Sequence, residues 1–213
     1  MKKTVFLLIL ISCIFVAQSL NIARLKYNGG GDWYNDPSSI PELLSYYNTN
    51  VSNIFNIEEK TVTLMSSDIS EYPMIWMTGH GNVVFSQLEL DRLRNYLLYG
   101  GFLYIDDDYG MHKYIYPIIK NLFRDYPLVT IENDFKLFKT PFLFDKIPKI
   151  HEHDNKPPVL YGIFIDKRLV LLYSYECNIS DGWASPDVHK NPPNIREKAL
   201  KFGCNILHCV FNP

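Results

Sequence analysis

The sequence predicts an α/β domain: a three-layer sandwich with a central, mostly parallel sheet, completed by a C-terminal antiparallel hairpin and helix. Three observations carry that prediction. Short apolar runs such as Met74–Met77 and Phe102–Ile105 alternate with amphipathic stretches of helical period, the order that builds an α/β layer architecture. Phe102-Leu-Tyr-Ile105 is apolar at every position, as a parallel strand covered on both faces requires. It then breaks into Asp106-Asp-Asp-Tyr-Gly110, just as Met74–Met77 breaks into Thr78-Gly-His-Gly-Asn82. In open α/β sheets ligands bind beyond the carboxyl ends of the strands, where such polar breaks fall.

Residues 1–19 stand apart from this pattern. Lys2 and Lys3 precede an apolar run, Thr4–Val16, and Ala17-Gln-Ser19 offers small residues for cleavage, so the segment reads as a signal peptide. The run is shorter than the roughly 18–20 residues of a membrane span. Leu10-Ile-Ser-Cys13 has the form of a lipobox and gives a lipid-anchored alternative, with an uncleaved signal anchor as another; Ile14-Phe-Val16 continues the apolar run past that cysteine. The expectation is an exported protein, periplasmic or extracellular, in which residues 20–213 form a single domain with no stable membrane span after cleavage. Removing Lys2 and Lys3 from the 21 Lys and Arg, against 23 Asp and Glu, leaves a net charge near −4. With no basic cluster, nucleic acid is not an expected partner. Cys177, Cys204 and Cys209 show no repeated spacing and read as buried thiols.

Ile22–Tyr27 reads as the first strand, followed by the polar, glycine-rich loop Asn28–Asp36. Asp36-Pro37 has the form of a helix start, and Ile40, Leu43, Leu44 and Tyr47 recur at helical spacing. Thr61–Met65 and Met74–Met77 are the second and third strands. Ser86-Gln-Leu-Glu89 is a capping box opening a helix that carries Leu90, Leu93 and Leu97 and stops at Gly100-Gly101. After the fourth strand, Phe102–Ile105, a helix from about Met111 to Phe123 buries Ile115, Ile118, Ile119 and Leu122, with Pro117 limiting or kinking it. Leu128–Ile131 reads as a short edge strand. Val159–Ile165 and Arg168–Tyr175 form a hairpin through Asp166-Lys167, Cys177–Asn194 a long loop, and a last helix starts near Ile195.

Over nearly all of this span the chain resembles a family, the proteins grouped as domain of unknown function 4159. The resemblance rests on Arg24-Leu-Lys-Tyr-Asn-Gly-Gly-Gly-Asp-Trp-Tyr34, Met77-Thr-Gly-His-Gly81, Gly100-Gly-Phe-Leu-Tyr-Ile-Asp-Asp107, Ile150-His-Glu-His-Asp154 and Tyr173-Ser-Tyr-Glu-Cys-Asn-Ile-Ser-Asp-Gly-Trp183. It implies a class I glutamine amidotransferase-like, flavodoxin-like fold, and brings no established activity. The cysteine nucleophile of amidotransferases has no counterpart in the turn after the fourth strand, so the resemblance implies a shared scaffold without that site.

The residues themselves suggest chemistry at the strand ends. His80 and Asp106 or Asp107 are the candidate catalytic groups, an imidazole or carboxylate able to deprotonate water. Alternation along an extended chain keeps Asp106, Asp107 and Asp108 from facing one pocket together, and each is also a candidate helix cap. His151 and His153, in His151-Glu-His-Asp154, are candidate ligands for a divalent metal, with zinc, manganese or iron favoured over calcium; an inert hydrogen-bonded loop is the alternative. Arg24, Asp32, Trp33 and Tyr34 surround the first loop and are candidate ligand-binding residues: Arg24 can hold an anion bidentately, and the aromatics can stack on a sugar or peptide. Glu176, Asp181 and Trp183 join them if their loop covers the crevice, with turn and packing roles as the alternative. The leading expectation is a small polar ligand, with a carbohydrate-like one among its kinds, bound in an acidic, histidine-lined crevice. The alternatives are a metal-dependent or histidine-assisted hydrolase, or a non-catalytic envelope domain that presents Trp33, Tyr34 and Trp183 to another envelope protein.

Overall fold

The computed structural model describes residues 19–212, so the segment read as a signal peptide lies outside the described residues except for Ser19. The strands are β1 (Ile22–Leu25), β2 (Lys60–Val62), β3 (Met74–His80), β4 (Phe102–Tyr109), β5 (Val129–Thr130), β6 (Val159–Ile165) and β7 (Arg168–Tyr175). The helices are α1 (Ser39–Asn50), α2 (Gln87–Leu98), α3 (His112–Leu122), the single turn α4 (Pro186–His189) and α5 (Pro193–Phe211). Among the described residues no helix is long and apolar enough to cross a membrane.

One seven-stranded sheet has the order β2-β1-β3-β4-β7-β6-β5. From β2 to β7 all neighbours are parallel, and β6 pairs antiparallel with both β7 and β5. The sheet is therefore mixed but mostly parallel. Alternation along its strands sends side chains to two cores. Trp76, Tyr104 and Leu172 pack with Leu43 and Tyr47 of α1 and Phe202 and Ile206 of α5. Ile75, Leu103 and Leu171 pack with Leu93 and Leu97 of α2 and Ile115 and Ile119 of α3. Helices thus cover both faces, giving the expected three layers. From β1 the chain runs outward to β2 and then crosses back to β3, so the loops after β1 and β3 diverge and leave a crevice at the carboxyl edge.

Local signals explain most elements. Ser86 accepts from the Glu89 N–H while the Glu89 carboxylate accepts from the Ser86 N–H, completing the capping box of α2. The hairpin β6–β7 turns through Asp166 and Lys167, both in the left-handed region. Cys177, Cys204 and Cys209 are free and buried.

Some boundaries differ from the sequence reading in ways that bear on the site. β4 does not stop at Ile105 but runs through the acidic triplet, because Thr78 pairs with Asp106, Gly79 with Asp107, and Asp106 with Ser174. The turn comes instead at Gly110, whose φ of 76° suits glycine. α1 starts at Ser39 rather than at Asp36-Pro37: Asp36 adopts φ 53°, its carbonyl accepts from the Ser39 N–H at 3.1 Å, and its carboxylate turns away from the helix. Pro117 lies inside α3 without ending it.

Candidate functional site

β4 carries its three acids into three environments. Asp106 and Asp108 face the α1/α5 side of the sheet and Asp107 the α2/α3 side, following the alternation of a strand. Asp106 is fully buried; Ser174 Oγ donates to its Oδ1 and the Ser180 N–H donates to its Oδ2 at 2.6 Å. Burial pushes its pKa up to about 7 against those hydrogen bonds. Asp107 accepts the Met111 N–H at 2.9 Å and so caps the start of α3; burial raises it to about 6. Neutral donors thus satisfy both carboxylates.

Asp108 meets other acids instead. Carboxylate oxygens of Asp36, Asp108 and Asp181, all three residues buried, lie within 4.8 Å of one another. Asp36 comes from the loop after β1, Asp108 from the end of β4, and Asp181 from the turn following β7. Two histidines close the group. His189 Nε2 lies 2.7 Å from Asp36 Oδ1, and His151 Nδ1 lies 2.6 Å from Asp181 Oδ2. His151, Asp181 and His189 themselves offer ligand atoms within 4.8 Å of one another. Among the described residues no lysine or arginine forms a salt bridge with any of the three acids.

The electrostatics follow from this packing. Burial first, then the charges of Asp181, Asp36 and Asp106, hold the Asp108 carboxyl far above its ordinary range. Burial and Asp181 likewise raise Asp36, partly offset by His189. Burial raises Asp181 too, but the hydrogen bond from His151 and the neighbouring His189 and Asn178 outweigh it and keep Asp181 low. The same hydrogen bond raises His151 against its own burial. Without a cation, these shifts favour protons on Asp108, Asp36 and His151 and the ionised form of Asp181.

The donor chemistry fits a divalent cation. Two triads that share Asp181, one of three carboxylates and one of a carboxylate with two imidazoles, offer oxygen and nitrogen donors that suit zinc, manganese or iron, and within each triad the 4.8 Å limit is near the roughly 4 Å separating donors across one ion. Asp181 Oδ1 is buried with no hydrogen-bond partner, and so is Asn178 Oδ1 beside it. Such orphaned oxygens are uncommon in folded proteins and call for a partner. The surrounding backbone is strained as well: Asp36, Asn178 and Lys190, next to His189, all have positive φ, at 53°, 46° and 54°. Strain of this kind collects at functional sites.

A ring of neutral and charged groups fixes these ligands. Asn178 Nδ2 donates to Asp108 Oδ1 at 2.7 Å and to Asp181 Oδ2 at 3.1 Å, while Asn35 Nδ2 donates to Asp108 Oδ2. His80, half exposed at the end of β3, sits between two acids: its Nδ1 is 3.0 Å from Asp32 Oδ2 and 3.2 Å from Asp108 Oδ2. Asp32 also accepts the His80 backbone N–H, which fixes the ring's orientation. Arg24 is buried, pairs with Glu59 at 2.6 Å, and donates to the carbonyls of Trp33, Asn35 and Asp36 at the foot of the first loop. Its guanidinium stacks over Trp76 at 4.3 Å.

The candidate residues therefore divide. His80 and Asp181 meet Asp108 directly, while Asp32 is joined to it through His80 and His151 through Asp181. Asp106 and Asp107 lie on the same strand end with their own partners. His153 does not accompany His151: it stacks on Tyr109 at 4.6 Å and lines a separate cavity with Glu176. Trp33 is half-buried beneath the Lys26 ammonium, and Tyr34 is exposed and meets Trp33 edge-on. Trp183 is wholly buried against Trp76 and Tyr104, its indole N–H donating to the Ala199 carbonyl at 3.0 Å.

Sequence reasoning missed Asp36 and His189 as members of the cluster and left Asp108 as an alternative to Asp107. Asp36 carried a helix-start signal that concealed it, and Asp108 was one of three adjacent acids with no way to choose among them. His189 sat in a loop with no motif. Its only available clue was the positive-φ turn at Lys190 beside it, which a sequence does not display.

No curated protein matches this chain. The family model described as Domain of unknown function (DUF4159) matches residues 21–211, nearly all of the described span, and the chain belongs to that family.

Proposed function

We propose that this protein binds a divalent cation through Asp36, Asp108, Asp181, His151 and His189, and uses the crevice above it to hydrolyse a small polar ligand. One observation carries the reading: three buried carboxylates face one another with two histidines and no lysine or arginine bridge among the described residues. Breaking the balance of buried charge costs several kcal/mol per ion, and a cation removes that conflict at once. The orphaned Asp181 Oδ1 supports it independently. A bound cation supplies Lewis-acid polarisation of a substrate oxygen.

The chain's own groups complete the chemistry. His80, oriented through Nδ1 by Asp32, keeps Nε2 for accepting a proton from water and returning it to a leaving group. Arg24 holds the loop that presents Asp36, and Asp106 and Asp107 anchor the end of β4 that presents Asp108. Trp33 and Tyr34 lie at the rim, where a ligand can stack, while Trp183 supports the core beneath. In this reading His151 is a ligand and His153 a neighbour of the substrate. The sheet order β2-β1-β3-β4 supports a closer kinship with the class I glutamine amidotransferase-like, flavodoxin-like folds. Lys2, Lys3 and the apolar run after them support export as a single domain.

The test is elemental analysis of the purified protein, followed by thermal unfolding with and without a chelator. About one equivalent of zinc, manganese or iron per chain, lost in Asp181→Ala and His189→Ala, is the expected result. Trace metal combined with an unchanged unfolding temperature on chelation overturns the reading.

A further inference from the structure

We infer that the cavity sharing Asp108 with the candidate metal centre binds one hydroxyl-rich saccharide unit of the substrate. The inference deepens the metal-centred reading and rests on it, because the shared wall at Asp108 is what would bring the saccharide to the cation. The cavity measures about 320 Å³, at the lower end of the range for small-molecule sites. Its walls come from the ends of β4 and β7, the first turn of α3 and residues 153–156.

Its apolar surface is aromatic and fixed. Tyr109, half exposed, stacks on His153, and its hydroxyl donates to Asp154 Oδ1 at 3.1 Å. His112 stacks on Tyr175 at 3.9 Å and is held through Nδ1 by the Tyr173 hydroxyl at 2.8 Å. A ring locked at both its face and its hydroxyl loses little conformational entropy on contact, which is what a stacking platform needs.

The open polar groups decide the ligand's class. His153 Nε2 is buried and has no partner. Lys113 has no carboxylate within salt-bridge distance among the described residues, and its ammonium lies 4.9 Å above the Tyr114 ring. Glu176, buried and with φ 60°, is held at Oε2 by Lys149 at 3.5 Å and by the Asp154 N–H at 3.4 Å, leaving Oε1 for a ligand. A compact anion would suit Lys113 but be repelled by Glu176 and Asp107; a compact cation would meet the reverse conflict at Lys113 and Lys156. Neutral hydroxyls donate to the carboxylate and accept from the ammonium, and they satisfy His153 Nε2 in either tautomer. The C–H face of a sugar ring matches the exposed side of the aromatic platform.

The test uses the full chain loaded with zinc or manganese. Saturation-transfer NMR and calorimetry would be run with glucose, N-acetylglucosamine, cellobiose and chitobiose, and with inorganic phosphate as the anionic probe. At least one saccharide binds, with transfer strongest to its ring protons, and Tyr109→Ala and Lys113→Ala each weaken it about tenfold or more while metal content stays unchanged. Metal-loaded protein that binds none of the saccharides, or that binds phosphate and releases it on Lys113→Ala, overturns this inference alone. Wild-type protein that takes up no metal overturns the metal-centred reading, and saccharide binding that persists there separates the two failures.

Discussion

Asp106 and Asp108 are two residues apart on one strand, face the same side of the sheet and are both buried, yet they live under opposite rules. Asp106 looks onto a serine hydroxyl and a backbone N–H, neutral donors supplied by the neighbouring strand and the turn beyond it. Asp108 also has neutral donors, the amides of Asn35 and Asn178, but it looks onto Asp36 and Asp181 as well. A buried acid surrounded by donors is held in place by them and needs nothing from outside. A buried acid that faces two further acids is a place where the protein has left a charge for something else to balance. The contrast separates scaffold from site more sharply than burial, raised pKa or position at a strand end, which the two residues share.

The strongest way to break the contrast is to remove a member of the acid group. Asp181→Ala takes away the carboxylate that touches both other acids and His151, and metal affinity should fall by more than about 100-fold, beyond the loss typical of outer-shell changes. Calorimetric titration with zinc or manganese checks it, and retention of wild-type affinity would end the argument for a cation site. Asp108→Asn removes the acid whose ionisation its neighbours oppose, so the metal-free variant should lose less stability than the wild type between pH 5 and pH 8, as read by thermal unfolding.

A change of pH sharpens the same comparison. Asp106 at about 7 and Asp107 at about 6 titrate above the ordinary carboxylate range, with Asp36, Asp108 and His151 also displaced upward. A group whose pKa is raised on folding contributes stability below its unfolded value and loses it as pH climbs through the folded value. Asp181, displaced downward, opposes this only below the ordinary carboxylate range. The metal-free protein should therefore lose stability from about pH 4 to above neutrality, by a few kcal/mol in total, and bound metal should restore most of what the acid group contributes. Unfolding temperatures measured at pH 5 and pH 8, with and without metal, give the answer; a metal-free protein equally stable at both would refute it.

The control is Asp106→Asn. It disturbs a satisfied acid, so it should cost roughly 1–3 kcal/mol of stability while moving metal affinity only slightly, as read by denaturant unfolding alongside the titration. A loss of metal binding as large as that of Asp181→Ala would erase the distinction drawn between the two acids. The smallest effect belongs to Asp107→Ala, which removes the cap of α3 at a cost of about 1 kcal/mol and leaves the metal titration curve where it was.

The candidate site was only partly legible beforehand. His151, Asp181, His80 and Asp32 could be named because histidine and aspartate stood in polar breaks between apolar runs. Separating His151 from His153 could not be done, since two histidines one residue apart look equivalent until the backbone bends between them. Nor could Asp36 be recognised, because an acid before a proline fits a helix start and nothing local says that its φ will turn positive.

By itself the sequence determined what depends on neighbours along the chain: apolar runs that must be covered on both faces, the capping box of α2, the hairpin at Asp166-Lys167, and polar residues gathered after β3 and β4. The tertiary structure decided which of those polar residues meet. Asp36 reaches His189 across 153 positions and Asp108 reaches Asn178 across 70, distances at which periodicity and capping carry no information. The order of strands in the sheet sets those meetings, and that order arises from the packing of two separate cores against opposite faces of one sheet.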